Sequence, residues 1–255
     1  MKNIPRLYVR DALAEGASIT LPEGQAHYLA RVMRLGGGDA ARIFNGKDGE
    51  WQAELALQGR KVEAHMTLCL RAQPEQIPTS PKLLFAPLKK TRTDFAVEKA
   101  TELGVSHIFP VATERTQTRR VKTDRLQALA IEAAEQTERM DVPEIADMQS
   151  LDQALSAWPA DAPLVFCDEA GDDAGAVWGG EHGRATPMAA ALRGRDSAGG
   201  GILIGPEGGF SPAERDHLRS LAFVVPVTLG PRILRAETAI VAALSIWQAV
   251  LGDWR

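Results

Sequence analysis

The run Ile202-Leu-Ile-Gly-Pro-Glu-Gly-Gly-Phe-Ser-Pro-Ala-Glu214 opens as a buried strand, breaks at Gly205 and restarts as a helix. Ser211, Pro212 and Glu214 suit the N-cap, N1 and N3 positions of a capping box, where hydroxyl and carboxylate satisfy backbone N–H groups that the first turn leaves unpaired. The intervening loop is therefore held at both ends. Gly205, Gly208 and Gly209 would let backbone approach a flat ligand closely, at the carboxyl end of a strand where α/β sheets usually bind ligands. A tight turn without a ligand has the same glycines, which alone do not decide between the two. The spacing is neither GxGxxG nor GxxxxGK[ST], which argues against a dinucleotide or P-loop site.

A second break of this kind is Val224-Val-Pro-Val-Thr-Leu-Gly-Pro-Arg-Ile-Leu-Arg-Ala-Glu-Thr-Ala239. Gly230 and Pro231 stop the strand, and a strongly apolar helix begins near Ala236. Arg235 then sits at a helix N-terminus, where its charge opposes the positive end of the helix dipole. An anionic partner accounts for it, as does pairing with Glu237 or Glu207. Upstream, the apolar runs Leu83–Leu88, His107–Ala112 and Leu164–Asp168 alternate with helical stretches, the pattern of a parallel sheet covered on both faces. One helix is expected near Asp94–Leu103, ending at Gly104, and another from about Asp124 to Arg139. The last helix is apolar nearly all round, so it is buried on more than one face. Gly171–Gly201 carries nine glycines and reads as a mobile connection with a short helix at Pro187–Leu192.

Residues 6–72 differ in texture. Short strand-like runs (6–9, 17–20, 40–44, 50–57 and 61–72) surround one helical stretch from Glu23 to Leu35, and Asn45-Gly46 and Asp48-Gly49 supply hairpin chemistry. These features predict a small antiparallel β-barrel domain over 1–73. Pro74, Pro78 and Pro81 then mark a linker at 74–81, and an α/β domain occupies 82–255.

The 255 residues carry a formal charge of −4, so nucleic-acid binding would need local basic patches rather than a global field. Arg115, Arg119, Arg120, Lys122 and Arg125 form one patch against a single acid, Asp124; Lys89, Lys90 and Arg92 form another. Either can equally be a solvated face. Cys69 and Cys167 are far apart and His27, His65, His107, His182 and His217 are scattered, so we expect neither disulfide nor metal. Without a signal-like or membrane-length apolar stretch, the expected location is the cytoplasm.

Taken together, Ile204-Gly-Pro-Glu-Gly-Gly-Phe-Ser211 and Leu229-Gly-Pro-Arg-Ile-Leu-Arg-Ala-Glu-Thr-Ala239 resemble the paired signature of the 16S rRNA uracil-1498 N3-methyltransferase family. Further matches are Lys89, Lys99 and Thr101-Glu-Leu-Gly-Val105, then Glu132-Ala-Ala-Glu-Gln136 with Arg139 and Pro143, and His27 with Arg31, Val32, Arg34 and Leu35. The resemblance spans nearly the whole chain, apart from Gly171–Gly201.

It implies a PUA-like β-barrel domain followed by a SPOUT α/β domain with a C-terminal trefoil knot, S-adenosylmethionine as methyl donor, 16S rRNA as substrate and a homodimer. Carried onto this sequence, the donor pocket comprises Cys167, Asp168, Ile204, Gly205, Pro206, Gly208, Leu229, Gly230, Ile233 and Leu234. Arg235 would stabilise the uracil anion, with Glu237 or Glu207 taking its proton. Arg31, Arg34, Lys89, Arg92, Arg115, Arg119, Gln136 and Arg139 would meet RNA. Two other readings stand beside this one: a catalytically silent RNA-binding assembly factor on the same scaffold, and an α/β enzyme with another nucleotide cofactor. Intact glycine loops argue against the first, and the missing phosphate-binding spacing against the second.

Overall fold

The computed structural model describes residues 4–74, 80–168, 185–195 and 198–254. The chain divides into one compact unit formed by Met1–Gln76 with Ile131–Val142, and a second formed by Ile77–Ala130 with Pro143–Arg255.

In the first unit β1 (Arg6–Tyr8) and β2 (Ser18–Thr20) precede a short helix α1 (Glu23–His27), which widens into a π turn at Tyr28–Val32. Then come β3 (Ala40–Phe44), β4 (Glu50–Gln58) and β5 (Lys61–Arg71). The sheet runs β1-β3-β4-β5-β2. All pairings are antiparallel except β1 with β3, which departs from the expected all-antiparallel barrel. Alternation along β5 places Val62, Ala64 and Met66 on the core face with Ile43, Leu55 and Leu29. The β3–β4 turn follows its sequence: Asn45 Oδ1 accepts from the backbone N–H groups of Lys47 (3.0 Å) and Asp48 (2.8 Å), and Gly46 and Gly49 have φ of 77° and 87°. The helix expected over 23–35 is interrupted. Met33 N–H reaches back to Tyr28 O and Leu35 N–H to Leu29 O, and Arg34 adopts φ 55°, which turns Leu35 into the core.

A buried charge organises this unit. Glu50, wholly inaccessible, is bound by Arg6, Arg42 and Arg71. Arg6 also donates to Ala134 O (2.6 Å) and Arg139 O (2.8 Å), while Glu135 accepts from Tyr8 N–H (2.8 Å). These bonds make 131–142 part of the unit.

The second unit contains β6 (Lys82–Phe85), α2 (Lys90–Glu102), β7 (His107–Ala112), the helix α3 (Thr123–Gln136) up to Ala130, β8 (Glu144–Ile145), β9 (Gln149–Ser150) and α4 (Leu151–Ser156). It continues with β10 (Leu164–Cys167), α5 (Met188–Leu192), β11 (Gly201–Ile204), α6 (Pro212–Ser220), β12 (Val224–Val227) and α7 (Ala236–Val250). Every strand pair is parallel, in the order β12-β10-β11-β6-β7-β8 with β9 also on β7. The expected parallel sheet is thus present, with β11 buried at every residue and β6 and β10 at all but one, as their apolar runs require. Gly104 ends α2 at φ 81°, and Gln248 of α7 donates to Leu103 O at 2.6 Å, which explains one of the few polar positions in that apolar helix. The short helix expected at Pro187–Leu192 is α5. Much of the connection expected to be mobile, 171–184 and 196–197, lies outside the described residues, as do 75–79 of the expected linker.

Candidate active site

Chain order determines where a crevice opens. β10 lies between β11 and β12, so the two strands that follow it in sequence flank it on opposite sides, and their loops diverge above its carboxyl end. A cavity of about 330 Å³ occupies that place. It is lined by Cys167 and Asp168 at the end of β10, residues 204–210 from the end of β11 onward, and residues 227–236 other than Pro231 from the end of β12 to the start of α7. All ten residues expected to hold the donor border it, together with Glu207, Arg235 and Arg115.

Each loop is fastened from outside. The capping box of α6 is formed: Glu214 N–H reaches Ser211 Oγ at 3.3 Å, and Glu214 Oε2 accepts from Ser211 N–H at 2.9 Å. The other oxygen of Glu214 accepts from Glu114 N–H (2.7 Å), and Arg115 Nη1 donates to Gly208 O (2.9 Å). Arg115, expected to meet RNA, is exposed and grips this loop. Gly230, at φ 120°, has nothing within 4 Å of where a Cβ would stand, and its N–H is 3.3 Å from Thr228 Oγ1.

Packing by itself requires a glycine at position 205. A Cβ there would meet the Phe210 ring at 2.6 Å, and that ring packs edge-on against Phe166 with centroids 5.1 Å apart. Gly205→Ala is therefore expected to cost about 1–3 kcal/mol by displacing Phe210 from a filled core. Thermal unfolding measures this; an unchanged melting temperature would mean that the ring yields freely and that packing does not require the glycine.

Asp168 is buried, and both its oxygens are engaged: Arg215 Nε and Nη2 each approach to 3.0 Å and Arg219 Nε to 2.9 Å. Its carboxylate orients Arg215, which lines the cavity, rather than facing a ligand alone. Sequence reasoning missed both arginines because charged residues four apart on a short helix read as a solvated face. Burial, with a smaller contribution from the Asp168 charge, pushes the Cys167 thiol up to about 12, so the sulfur is neutral near pH 7.

Arg235 is the N-cap of α7 and is exposed. Its carbonyl accepts from Ala239 N–H at 2.8 Å, while among the described residues its guanidinium forms no hydrogen bond or ion pair. The carboxylates offered as its partners are held elsewhere: Arg92 Nη1 lies 3.4 Å from Glu207 and Arg92 Nε 3.4 Å from Glu237. Glu207 borders the cavity whereas Glu237 does not, and Glu237 Oε2 is buried without a partner. Lys89 and Arg119 are exposed outside the cavity lining. In the first unit Arg31 and Arg34 are exposed beside the π turn, as is Gln136, whereas Arg139 is mostly buried and forms a two-point pair with Asp141 at 2.9 and 2.8 Å.

A parallel α/β unit with a loop-built crevice at its strand ends defines a ligand-binding enzyme scaffold, and the comparisons make it specific. Residues 75–248 match an RNA methyltransferase domain and residues 21–65 an RNA methyltransferase PUA domain. Ribosomal RNA small subunit methyltransferase E of Rickettsia conorii is 30% identical over 94% of this chain and 93% of its own length; that of Bacillus subtilis is 28% identical over 92% and 91%. The crystal structure of ribosomal RNA small subunit methyltransferase E from Neisseria gonorrhoeae bound to S-adenosyl methionine superposes with a TM-score of 0.81 at 28% identity, covering 99% of this chain and all of that one. The chain belongs to the ribosomal RNA small subunit methyltransferase E family, with the fold class expected from its sequence: a PUA-like β domain followed by an α/β methyltransferase domain of the SPOUT type.

Proposed function

We propose that this protein transfers a methyl group from S-adenosylmethionine to N3 of a uracil in 16S ribosomal RNA, within the small subunit or its precursor. The observation that carries the reading is the crevice between the β11 and β12 loops, in a chain that aligns over 99% of its length with a relative crystallised with that donor. The volume, about 330 Å³, falls in the range of small-ligand pockets. Ile204, Leu229, Ile233 and Leu234 offer apolar walls for an adenine ring, while Gly205, Pro206, Gly208 and Gly230 offer main chain. Arg215, oriented by Asp168, suits an anionic tail.

When bound, the donor supplies an electrophilic methyl on a sulfonium. The neutral thiol of Cys167 does not compete for that methyl, as a thiolate would. Methylation at N3 requires loss of a proton from a weakly acidic N–H, which leaves charge on the ring. Arg235, unpaired at the N-terminus of α7, stabilises that charge as it develops. Glu207 borders the cavity and takes the proton directly or through water; Glu237, held by the same arginine, is the alternative base.

Residues 1–73 dock the RNA through Arg31 and Arg34, and 82–255 form the catalytic domain, with Lys89, Arg119, Gln136 and Arg139 as further RNA contacts. The carboxyl-terminal segment is threaded as a trefoil knot, and two copies pair around α7. Such an enzyme works in the cytoplasm. The test supplies labelled S-adenosylmethionine with free 16S rRNA or assembled small subunits, then maps the product by mass. We expect N3-methyluridine at one position; donor binding without transfer to either RNA form would instead favour a silent assembly factor.

A further inference from the structure

The geometry points to Arg92 as a positioning residue that keeps Arg235 available, an inference that rests on the role proposed for Arg235. Three facts of placement carry it. Arg92, in the first turn of α2, extends one guanidinium to two carboxylates at once, 3.4 Å from Glu207 on the β11 loop and 3.4 Å from Glu237 in the first turn of α7. Arg235 immediately precedes α7 and lines the same cavity as Glu207, and its guanidinium has no partner among the described residues. Glu237 Oε2 is buried and unsatisfied, so that carboxylate depends on Arg92 for compensation.

Opposite charges close together attract, and an arginine that shares a cavity with Glu207 and stands two residues from Glu237 would ordinarily collapse onto one of them. Arg92 prevents this by satisfying both from the α2 side. Its planar fork does so through two different nitrogens, which the point charge of a lysine cannot reproduce at the same distances. Arg92 was a candidate RNA contact by sequence; in the structure its charge is spent within the protein.

Arg92→Gln is expected to lower kcat by about 10- to 100-fold, as misplacement of a reacting group does. Donor affinity and the KM for RNA should be unchanged, a split that a lost RNA contact would not give. Arg92→Lys should recover part of the loss. A second readout needs no catalysis: modification by phenylglyoxal, mapped by mass, should be slower at Arg235 in Arg92→Gln than in the unaltered protein. A kcat equal to that of the unaltered enzyme, a loss confined to the KM for RNA, or unchanged Arg235 reactivity in a variant with an intact thermal melt overturns the inference. If the unaltered protein transfers no methyl to rRNA, the proposed function fails, while the phenylglyoxal comparison still decides the role of Arg92.

Discussion

Arg235→Lys is expected to lower single-turnover methylation by about 100- to 1000-fold, roughly 3–4 kcal/mol, as removal of one preorganised donor to a developing anion does. The substitution retains the charge and loses the planar fork, so it tests geometry rather than sign. From sequence alone, Arg235 suggests an anionic partner, and a structural pairing with Glu207 or Glu237 is the plainer alternative. The structure separates the two, because both glutamates are held by Arg92 and Arg235 is exposed and unpaired among the described residues. The melting temperature should therefore be unchanged while turnover falls. A fully active variant would remove Arg235 from the chemistry, and a destabilised but active one would restore the structural account.

Legibility followed the range over which each feature is encoded. The loop after β11 was readable because its determinants are contiguous: a strand, a Gly-Pro break and a Ser-Pro-x-Glu start whose two reciprocal bonds form as written. The turn at Asn45–Gly49 and the stop at Gly104 were readable for the same reason, since each depends on φ > 0 at a glycine in a local pattern. Two-residue strands such as β8 and β9 carry no periodicity to read. The π turn at Tyr28–Val32 leaves the apolar spacing close enough to helical to be absorbed into a longer helix. The residues expected to hold the donor all border the cavity, while what orients them could not be named in advance. Arg215 and Arg219 on Asp168, and Arg92 across Glu207 and Glu237, are pairings between distant segments that only topology brings together. Gly205 shows a subtler limit. The glycine was legible, but the aromatic ring five residues later that leaves no room for a Cβ was not.

Glu50 tests the first unit in the same spirit. Its carboxylate is wholly buried, and Arg6, Arg42 and Arg71 converge on it from β1, β3 and β5. Burial alone would raise its pKa; the hydrogen bonds of Arg71 and Arg42 and the charge of Arg6 outweigh burial and hold it below the ordinary value. Glu50→Gln keeps the shape, removes the anion and leaves guanidinium groups facing one another. Breaking a buried network of this kind typically costs about 3–5 kcal/mol. Arg71 is more than a third exposed, so solvent screens its share, and the stranded charge of Arg6 accounts for most of the loss. A carboxylate with a depressed folded pKa stabilises fully above its unfolded value, near 4.3 for glutamate (roughly), and loses that contribution as the pH falls through the folded value. Glu138, held low by its bond to Arg42, acts in the same direction; Glu135, raised by burial against its bond from Tyr8, acts oppositely and offsets part of it. Acid should therefore open this unit below about pH 4, and Glu50→Gln should flatten that limb while lowering stability at pH 7. Hydrogen exchange at β3 and β4, read at pH 7 and through the acid limb, measures both effects. Unchanged protection in the variant would mean that the apolar face of Ile43, Leu55 and Met66 holds the sheet without the charge.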